Sequence, residues 1–273
     1  MRRFLTAKGL LGATLVVAMV LIAIVAPLVI PADYGTRMTM TARLRPPSEL
    51  HWFGTDQLGR DLFYRVMLGA RTSLGIAAAA VLISLVLGLP IGMISGFYRG
   101  PIDNGLMRLV DTLLSFPVLL LALTISAMLG PSIPNAIIAI GVAFTPFLAR
   151  IVRGEALRVT QMPYVEAARA AGATDFNLIL RHVAPNVMPP IIVQATISLA
   201  FAVLAEAGLS FLGLGTQPPQ SSWGLMIQAS RDYLDVAPWT GLVPGAAVAI
   251  TVLGLNMSGD ILRDVFDPRT RRG

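Results

Sequence analysis

The sequence has no cysteine, only two histidines (His51 and His182) and a single lysine, Lys8. Without cysteine the chain can form neither a disulfide framework nor a thiolate metal site, and two histidines argue against an imidazole metal cluster. A phosphate-binding loop requires the pattern Gly-x-x-x-x-Gly-Lys-Ser/Thr, and Lys8 lies outside any such pattern. We therefore expect no bound metal and no nucleotide site of that type.

Charged residues are also scarce. They make up 13% of the 273 residues, about half of the roughly 25% that is typical of soluble domains. Hydrophobic residues make up 55%, and the mean hydropathy is +0.72, which is typical of a membrane protein. The net charge of +6 would suggest nucleic acid in a soluble protein. In a membrane protein basic residues more often record topology, so we expect a lipid bilayer and no nucleic acid as partner.

Six apolar segments predict six transmembrane helices, since a span takes about 20 predominantly apolar residues. They lie near residues 10–30, 73–97, 109–129, 133–149, 187–205 and 241–259. The first segment could also be a cleavable signal peptide. Its apolar run is longer than the roughly 7–15 residues of a signal core, and more spans follow, so we expect an uncleaved anchor.

The basic residues predict the orientation of these helices. If the amino terminus is cytoplasmic, fourteen of the 21 lysine and arginine residues fall on the cytoplasmic side. They lie in segments 1–9, 98–108, 150–186 and 260–273. Six of the other seven lie in the long external loop between the first two helices, and long loops count for little in this rule. We expect both termini, and the loop 150–186 between helices four and five, to be cytoplasmic.

The long external loop contains an amphipathic stretch, residues 55–71. Its apolar side chains share one helical face, namely Leu58, Leu62, Phe63, Val66, Met67 and Ala70. Arg60, Asp61 and Arg65 lie off that face. This pattern predicts a helix that lies in the membrane interface. A second external stretch, 213–224, is rich in glycine and proline, which predicts a loop or a re-entrant segment.

The cytoplasmic loop contains the stretch "PYVEAARAAGATDFNLILRHVAP", residues 163–185, which predicts a helical hairpin. Pro163 suits the first position of a helix, where a missing N–H costs nothing. Gly172 suits the end of that helix, because glycine readily adopts the left-handed conformation. Glu166 and Arg169 are spaced to pair on one face of the helix.

The second helix of the hairpin is expected to begin at a cap formed by Thr174 or Asp175. An apolar face follows at helical spacing, formed by Phe176, Ile179, Leu180 and Val183. Pro185 is expected to end this helix.

The stretch "EAARAAG", Glu166 to Gly172, followed by an apolar helix, resembles the EAA loop of bacterial ABC-importer permease subunits. Four other stretches resemble the second membrane subunit of the peptide/nickel branch of that family. They are residues 51–74, 115–123, 207–227 and 253–272. The resemblance covers nearly the whole chain, and the four separated motifs occur in the right order.

The resemblance implies an all-α membrane protein with six transmembrane helices. Residues 1–71 would form an anchor helix and an external loop with an interfacial helix, and 72–273 a five-helix permease core that includes the coupling loop 150–186. The protein would be a transport subunit and not an enzyme, in the bacterial inner membrane. It would pair with a homologous permease subunit as a heterodimer, with two cytoplasmic ATPase subunits that bind ATP and Mg, and with an external solute-binding protein.

In that family the hairpin forms a coupling helix that docks on an ATPase. The contact residues that the resemblance implies here are Tyr164, Glu166, Ala167, Ala168, Arg169 and Gly172. The solute implied first is a di- or oligopeptide. A nickel complex, glutathione or another small solute is the alternative within the same branch.

Two other functional classes are weighed against this one. An ion-coupled secondary transporter tends to place charged residues within the membrane, whereas Asp111, Glu206 and Asp260 lie near the ends of predicted segments. An intramembrane protease would need a membrane-embedded nucleophile with a base, and "GLSFLG" lacks the Gly-x-Ser-x-Gly spacing.

Glycines at every fourth residue of the second segment, Gly88, Gly92 and Gly96, predict tight packing against another helix. The alternative is a helix that slides or bends during transport.

Overall fold

The computed structural model describes residues 7–266 and is almost entirely helical over that range. The α-helices are α1 (Ala7–Val29), α2 (Leu62–Tyr98), α3 (Gly100–Leu114), α4 (Val118–Leu129), α5 (Ile133–Thr160), α6 (Pro163–Ala170), α7 (Asp175–Asn177), α8 (Ala184–Phe211), α9 (Trp223–Ser230) and α10 (Trp239–Phe266). A π-helical segment, Leu178–Val183, joins α7 to α8, so that Asp175–Phe211 is one continuous helix. The predictions for residues 1–6 and 267–273 lie outside the described residues.

Five helices of the described range are long and apolar enough to cross a membrane: α1, α2, α5, the continuous helix Asp175–Phe211, and α10. A sixth crossing is formed if α3 and α4, which are bent by 88° at their junction, count as one broken span. The single helix predicted near 109–129 is therefore two helices. Phe116 precedes Pro117, and a residue before proline disfavours the α conformation, so the helix is interrupted there.

The glycines of α2 pack directly on α5. A Cβ atom at Gly88 would lie 3.2 Å from the Cβ of Leu148, and one at Gly96 would lie 2.7 Å from the Cβ of Ala156. A Cβ atom at Gly92 would collide with the backbone of α5. The predicted tight packing is thus confirmed. The contact on α5 moves forward along the chain together with the glycine on α2, so the two helices run parallel.

Parallel packing of α2 and α5 means that α3 and α4 return the chain from the end of α2 to the start of α5. The bundle therefore has two distinct ends. We call the end that carries α6 and the carboxyl ends of α2 and α5 the hairpin end. We call the opposite end, which carries residues 30–61, α9 and the starts of α2 and α5, the loop end.

The outer helices follow the same geometry. α10 begins at the loop end, where Trp239 Nε1 donates a hydrogen bond to the carbonyl oxygen of Thr55 at 3.2 Å. α1 runs antiparallel to α10, since Gly12 packs against Met257 while Gly254, earlier in α10, packs against Leu15 further along α1. Both ends of the described chain consequently point toward the hairpin end.

Residues 55–71 do not form the separate interfacial helix that the amphipathic pattern predicts. Residues 55–61 are a compact non-helical loop, and α2 begins at Leu62 and continues without a break to Tyr98. Asp61 caps this helix, because its Oδ1 accepts a hydrogen bond from the backbone N–H of Phe63 at 2.8 Å. The apolar face therefore belongs to the first turns of α2 and packs inside the bundle. A boundary between residues 71 and 72 would fall within this helix.

Three charged residues of that stretch, Asp56, Arg60 and Arg65, are buried instead of facing water. Asp56 Oδ2 lies 2.6 Å from the Nε of Arg60 and 3.5 Å from the Nε of Arg65. Arg65 Nη1 also donates to the carbonyl oxygen of Gly35 at 2.9 Å. The periodic pattern assigned both arginines to a polar outer face. The compensating carboxylate and carbonyl come from other turns of the loop, so the burial depends on tertiary contacts.

Residues 213–222 of the stretch 213–224 form a loop that folds back onto α8 and α2, and α9 begins at Trp223. Glu206 of α8, which the sequence places near a segment end, is buried beneath this loop. Ser210 Oγ donates to Glu206 Oε1 at 2.7 Å, and the N–H of Thr216 donates to Ser210 Oγ at 3.0 Å. The N–H of Trp223 donates to Ser73 Oγ at 3.1 Å. These hydrogen bonds attach the loop to two helices.

Candidate interaction surface at the hairpin end

The hairpin has the turn that its sequence predicts. Gly172 adopts a φ of +87°, in the left-handed region that glycine occupies without strain. The N–H of Ala173 donates to the carbonyl oxygen of Ala168 at 3.1 Å, and the N–H of Gly172 donates to that of Arg169 at 3.0 Å. This pair of bonds is the Schellman arrangement. It fixes the direction in which the chain leaves α6.

The second half of the hairpin begins as predicted but ends differently. Thr174 Oγ1 accepts a hydrogen bond from the N–H of Asn177 at 3.4 Å and caps the helix. Pro185 does not end it, since the helix continues to Phe211. In regular α geometry the ring of Pro185 would clash with the carbonyl of Arg181. The π-helical segment directly before Pro185 is wider than an α-helix, and we attribute the uninterrupted helix to it.

The same π-helical segment changes which side chains face the core. Leu178 and Val183, five residues apart, are fully buried together with Val165 of α6. Phe176 and Leu180, which α-helical spacing places on one apolar face with Val183, are 70% and 52% exposed. Leu180 and Val183 do not share a face, because π-helical hydrogen bonds connect residues five apart and the predicted spacing was that of an α-helix.

The structure brings the predicted contact residues together at one end of the bundle. Tyr164, Glu166, Ala167, Arg169 and Gly172 are exposed, and Ala168 is half-buried. Together with the exposed Phe176 and Leu180 they form what we call the hairpin surface. Phe176 and Leu180 had not been predicted as surface residues.

Arg169 does not pair with Glu166. Its guanidinium carbon lies over the ring of Phe97 at 5.5 Å from the ring centroid, and the structure shows no ion pair between Arg169 and Glu166 in the described residues. A guanidinium over an aromatic face makes a cation–π contact. Arg169 therefore connects α6 to the carboxyl end of α2 through this contact.

A cluster of charged and polar side chains connects α2, α3 and α5 at the hairpin end. Arg153 of α5 holds Asp103 of α3 with two hydrogen bonds, each 2.6 Å long. Ser95 of α2 also donates to Asp103. Nearby, Arg99 donates to Thr160 Oγ1 at 3.2 Å. The pairing of Asp103 with Arg153 carries no signal in a single sequence, because fifty positions separate the two residues.

The chemistry of the hairpin surface is that of protein recognition. Exposed aromatic and aliphatic side chains lie beside charges of both signs, on a base fixed by buried valines and leucine. Among residues 7–266 the structure contains no group of three or more side chains that could hold a metal ion. The arrangement thus offers a rigid, largely apolar contact area.

The geometry defines a class: a multi-pass helical membrane protein with a helical hairpin exposed at one end. Residues 88–272 match the family described as binding-protein-dependent transport system inner membrane component. The chain belongs to this family. It is accordingly a permease subunit of an ABC importer, a transport component and not an enzyme.

Proteins of similar sequence carry compatible names. The chain is 43% identical over 263 residues to a dipeptide transport system permease protein DppC of Alkalihalophilus pseudofirmus, covering 96% of this chain and 86% of the relative. It is 46% identical to a putative peptide transport system permease protein of Brucella suis, covering 96% and 88%. It is 36% identical to a glutathione transport system permease protein GsiD of Pectobacterium atrosepticum, covering 99% and 90%.

Solved structures show the same fold. A chain of the MetNI methionine ABC transporter in an inward-facing conformation matches with a TM-score of 0.62 and 21% identity. The match covers 76% of this chain and 98% of that one.

Proposed function

We propose that this chain helps an ABC importer to carry short peptides across the bacterial inner membrane. The observation that supports this solute class is the identity of 43–46%, over 96% of the chain, to permeases named for dipeptide or peptide transport. Glutathione is a second candidate, since a glutathione permease is 36% identical over 99% of the chain. Glutathione is itself a small peptide, so both candidates share one chemical class.

The proposed topology has six spans, with both termini and the hairpin in the cytoplasm. The parallel packing of α2 on α5 supports counting α3 and α4 as one crossing. The basic residues support the orientation, because most of them lie on the hairpin side of this arrangement. The loop end would then face the external side.

The proposed partners are a homologous permease subunit, two ATPase subunits that bind ATP and Mg, and an external solute-binding protein that delivers the solute at the loop end. The hairpin surface would dock on an ATPase through Tyr164, Glu166, Ala167, Ala168, Arg169 and Gly172, with Phe176 and Leu180 alongside. The two apolar side chains support this role, because they lie at the hairpin end of the helix Asp175–Phe211, and large apolar groups exposed to water are typical of interfaces.

Docking at the hairpin would reach the membrane helices through a short physical path. Val165 and Leu178 are buried against the carboxyl-terminal half of α5. Asp103 of α3 pairs with Arg153 of α5. Movement of the hairpin by ATP-driven closure of the ATPases would therefore move α5 and α3 with it. Such coupling requires contacts that differ between the two states.

The test is to tag the chain in its host, extract it in mild detergent and identify the proteins that co-purify. A second six-span permease and one or two ATPases with phosphate-binding loops are expected. Ala167→Trp should reduce ATPase recovery by bulk, since Ala167 is exposed and the substitution leaves the core intact; Ala136→Ser, inside the bundle, serves as a control for expression. Recovery of the chain alone, active with an ion gradient and no ATP, would contradict the proposal.

The solute is tested separately. Uptake of a labelled dipeptide should depend on this chain and be inhibited by unlabelled di- and tripeptides. Inhibition by glutathione but not by dialanine would assign the alternative solute.

A further inference from the structure

An arginine without a protein partner lies between α1 and α2 toward the loop end. Arg71 is exposed, and its side chain makes no ion pair, hydrogen bond or ring contact with any residue from 7 to 266. The two arginines just before it behave differently, since Arg60 and Arg65 are buried beside Asp56. Arg71 is thus free to bind another molecule, unlike Arg60 and Arg65.

Arg71 lines a groove of about 420 Å³ between the two helices. Four apolar residues of α1, between Val20 and Leu28, form one wall, and Leu74 and Gly75 of α2 form the other. Arg71 and Gly75 also line a neighbouring concavity, whose wall includes the polar side chain of Gln220. The guanidinium therefore stands where an apolar groove meets a more polar one.

The depth of Arg71 follows from its neighbours. The groove reaches Leu28, and α1 ends one residue later at Val29. With a rise of about 1.5 Å per residue, the groove extends about 12 Å inward from Leu28 to Val20. In a hydrocarbon layer about 30 Å thick, this is the region where lipid headgroups meet acyl chains. An arginine there is expected to pair with an opposite charge.

We propose that the groove between α1 and α2 binds one anionic phospholipid. The phosphate lies on the guanidinium of Arg71, and an acyl chain lies along the apolar wall of α1. Guanidinium and phosphate match in geometry and charge, and the rest of the groove is apolar. A peptide carboxylate would satisfy Arg71 but would leave the apolar wall uncovered, and an apolar helix of a partner subunit would do the reverse.

This inference depends on the chain spanning a membrane, and it holds whatever solute is carried and whatever docks at the hairpin. Its test uses the full-length chain, together with any subunits that co-extract, after removal of loosely bound lipid. Native mass spectrometry measures the binding of phosphatidylglycerol and of phosphatidylcholine. The first phosphatidylglycerol should bind about fivefold more tightly than the first phosphatidylcholine, as expected for one arginine at a membrane surface.

Two variants separate charge from shape. Arg71→Gln should abolish the preference for phosphatidylglycerol while some binding of both lipids remains. Gly75→Leu should reduce the binding of both lipids, since a Cβ at Gly75 meets no atom within 4 Å and the new side chain would fill the groove without a clash. The matched controls are Arg108→Gln and Gly105→Leu on α3, where the glycine is equally open. Both should bind as the unmodified chain does.

Three results would overturn the proposal. The first is an unchanged lipid preference in Arg71→Gln, and the second is unchanged binding in Gly75→Leu. The third is displacement of phosphatidylglycerol by millimolar dialanine or inorganic phosphate, which would assign Arg71 to a soluble anion. An equal melting temperature of Gly75→Leu and the unmodified chain confirms that the groove was filled without unfolding.

Discussion

The two ends of this bundle use buried polar groups to different extents. At the loop end, charged and polar side chains turn inward and hold the chain together: Asp56 joins two arginines, and Glu206 lies beneath a hydrogen-bonded loop. At the hairpin end one buried carboxylate, Asp103, pairs with Arg153, but the interior beneath the hairpin is mainly valine and leucine, while Phe176 and Leu180 remain outside. The loop end thus uses its polar groups internally. The hairpin end keeps a contact area for another molecule.

The largest expected effect tests the interior of the loop end. Asp56→Ala would leave Arg60 and Arg65 buried without a counter-charge, and removal of one partner of a buried pair costs about 3–5 kcal/mol. We expect the apparent melting temperature to fall by about 10 °C, measured by tryptophan fluorescence in detergent. Glu49→Ala at the same end, where the side chain is exposed, should melt unchanged. Equal melting of both variants would show that the pair contributes nothing.

Two substitutions, two residues apart, distinguish the interior of the hairpin end from its surface. Leu178→Ala removes a fully buried side chain and should cost about 2–5 kcal/mol of stability. Phe176→Ala removes an exposed one and should change stability by less than about 0.5 kcal/mol, yet reduce recovery of the ATPase severalfold. Melting curves and co-purification measure the two effects. Equal ATPase recovery in Phe176→Ala and the unmodified chain would show that Phe176 does not contribute to ATPase binding.

The seam between α2 and α5 offers a matched pair of glycines. Gly92→Ala places a methyl group against the backbone of α5, and overpacking of this kind costs about 1–3 kcal/mol. Gly154→Ala, on α5, meets no atom within 4 Å and should be neutral or stabilising by up to about 1 kcal/mol. Thermal unfolding of the two variants, measured side by side, compares them. A stable Gly92→Ala variant would mean that the helices are not in backbone contact.

The smallest effect is expected at the turn of the hairpin. Gly172→Val meets no steric obstacle, but valine at a φ of +87° is strained by about 1–2 kcal/mol. The chain should still insert into the membrane, while transport becomes uncoupled because α6 leaves in another direction. Gly172→Asn, which tolerates this conformation, should retain most uptake. Normal uptake in Gly172→Val would contradict the assignment of the turn.

The sequence predicts the membrane-spanning helices well, because each apolar segment is longer than the apolar runs in helices and strands of soluble proteins. Four of the six predicted apolar segments lie within a single helix, the first passes the end of α1 by one residue, and the segment 109–129 contains the break between α3 and α4. The turn at Gly172 and the cap at Thr174 were also predictable, since both depend on local backbone chemistry. Local patterns were sufficient wherever neighbours in the chain decide the conformation.

The failures share one physical cause, which is that tertiary contacts override periodicity. Arg65 was assigned to a solvent face because its partner Asp56 is visible only in the folded loop. Leu180 was placed on the same apolar face as Val183, but the π-helical segment buries Val183 and leaves Leu180 exposed. The pairing of Asp103 with Arg153 joins two helices and leaves no mark on either one. Each of these residues therefore required the structure.

The close seam between α2 and α5 limits how this protein can move. At three successive turns of α2 a glycine lets α5 approach closely, so rotation or sliding of either helix along the other would bring atoms into collision. We therefore expect the two helices to move as one rigid body during a transport cycle, and the 88° junction of α3 and α4 to be where the shape changes. A pair of spectroscopic labels on α2 and α5 would keep a constant separation, and the junction would act as the hinge.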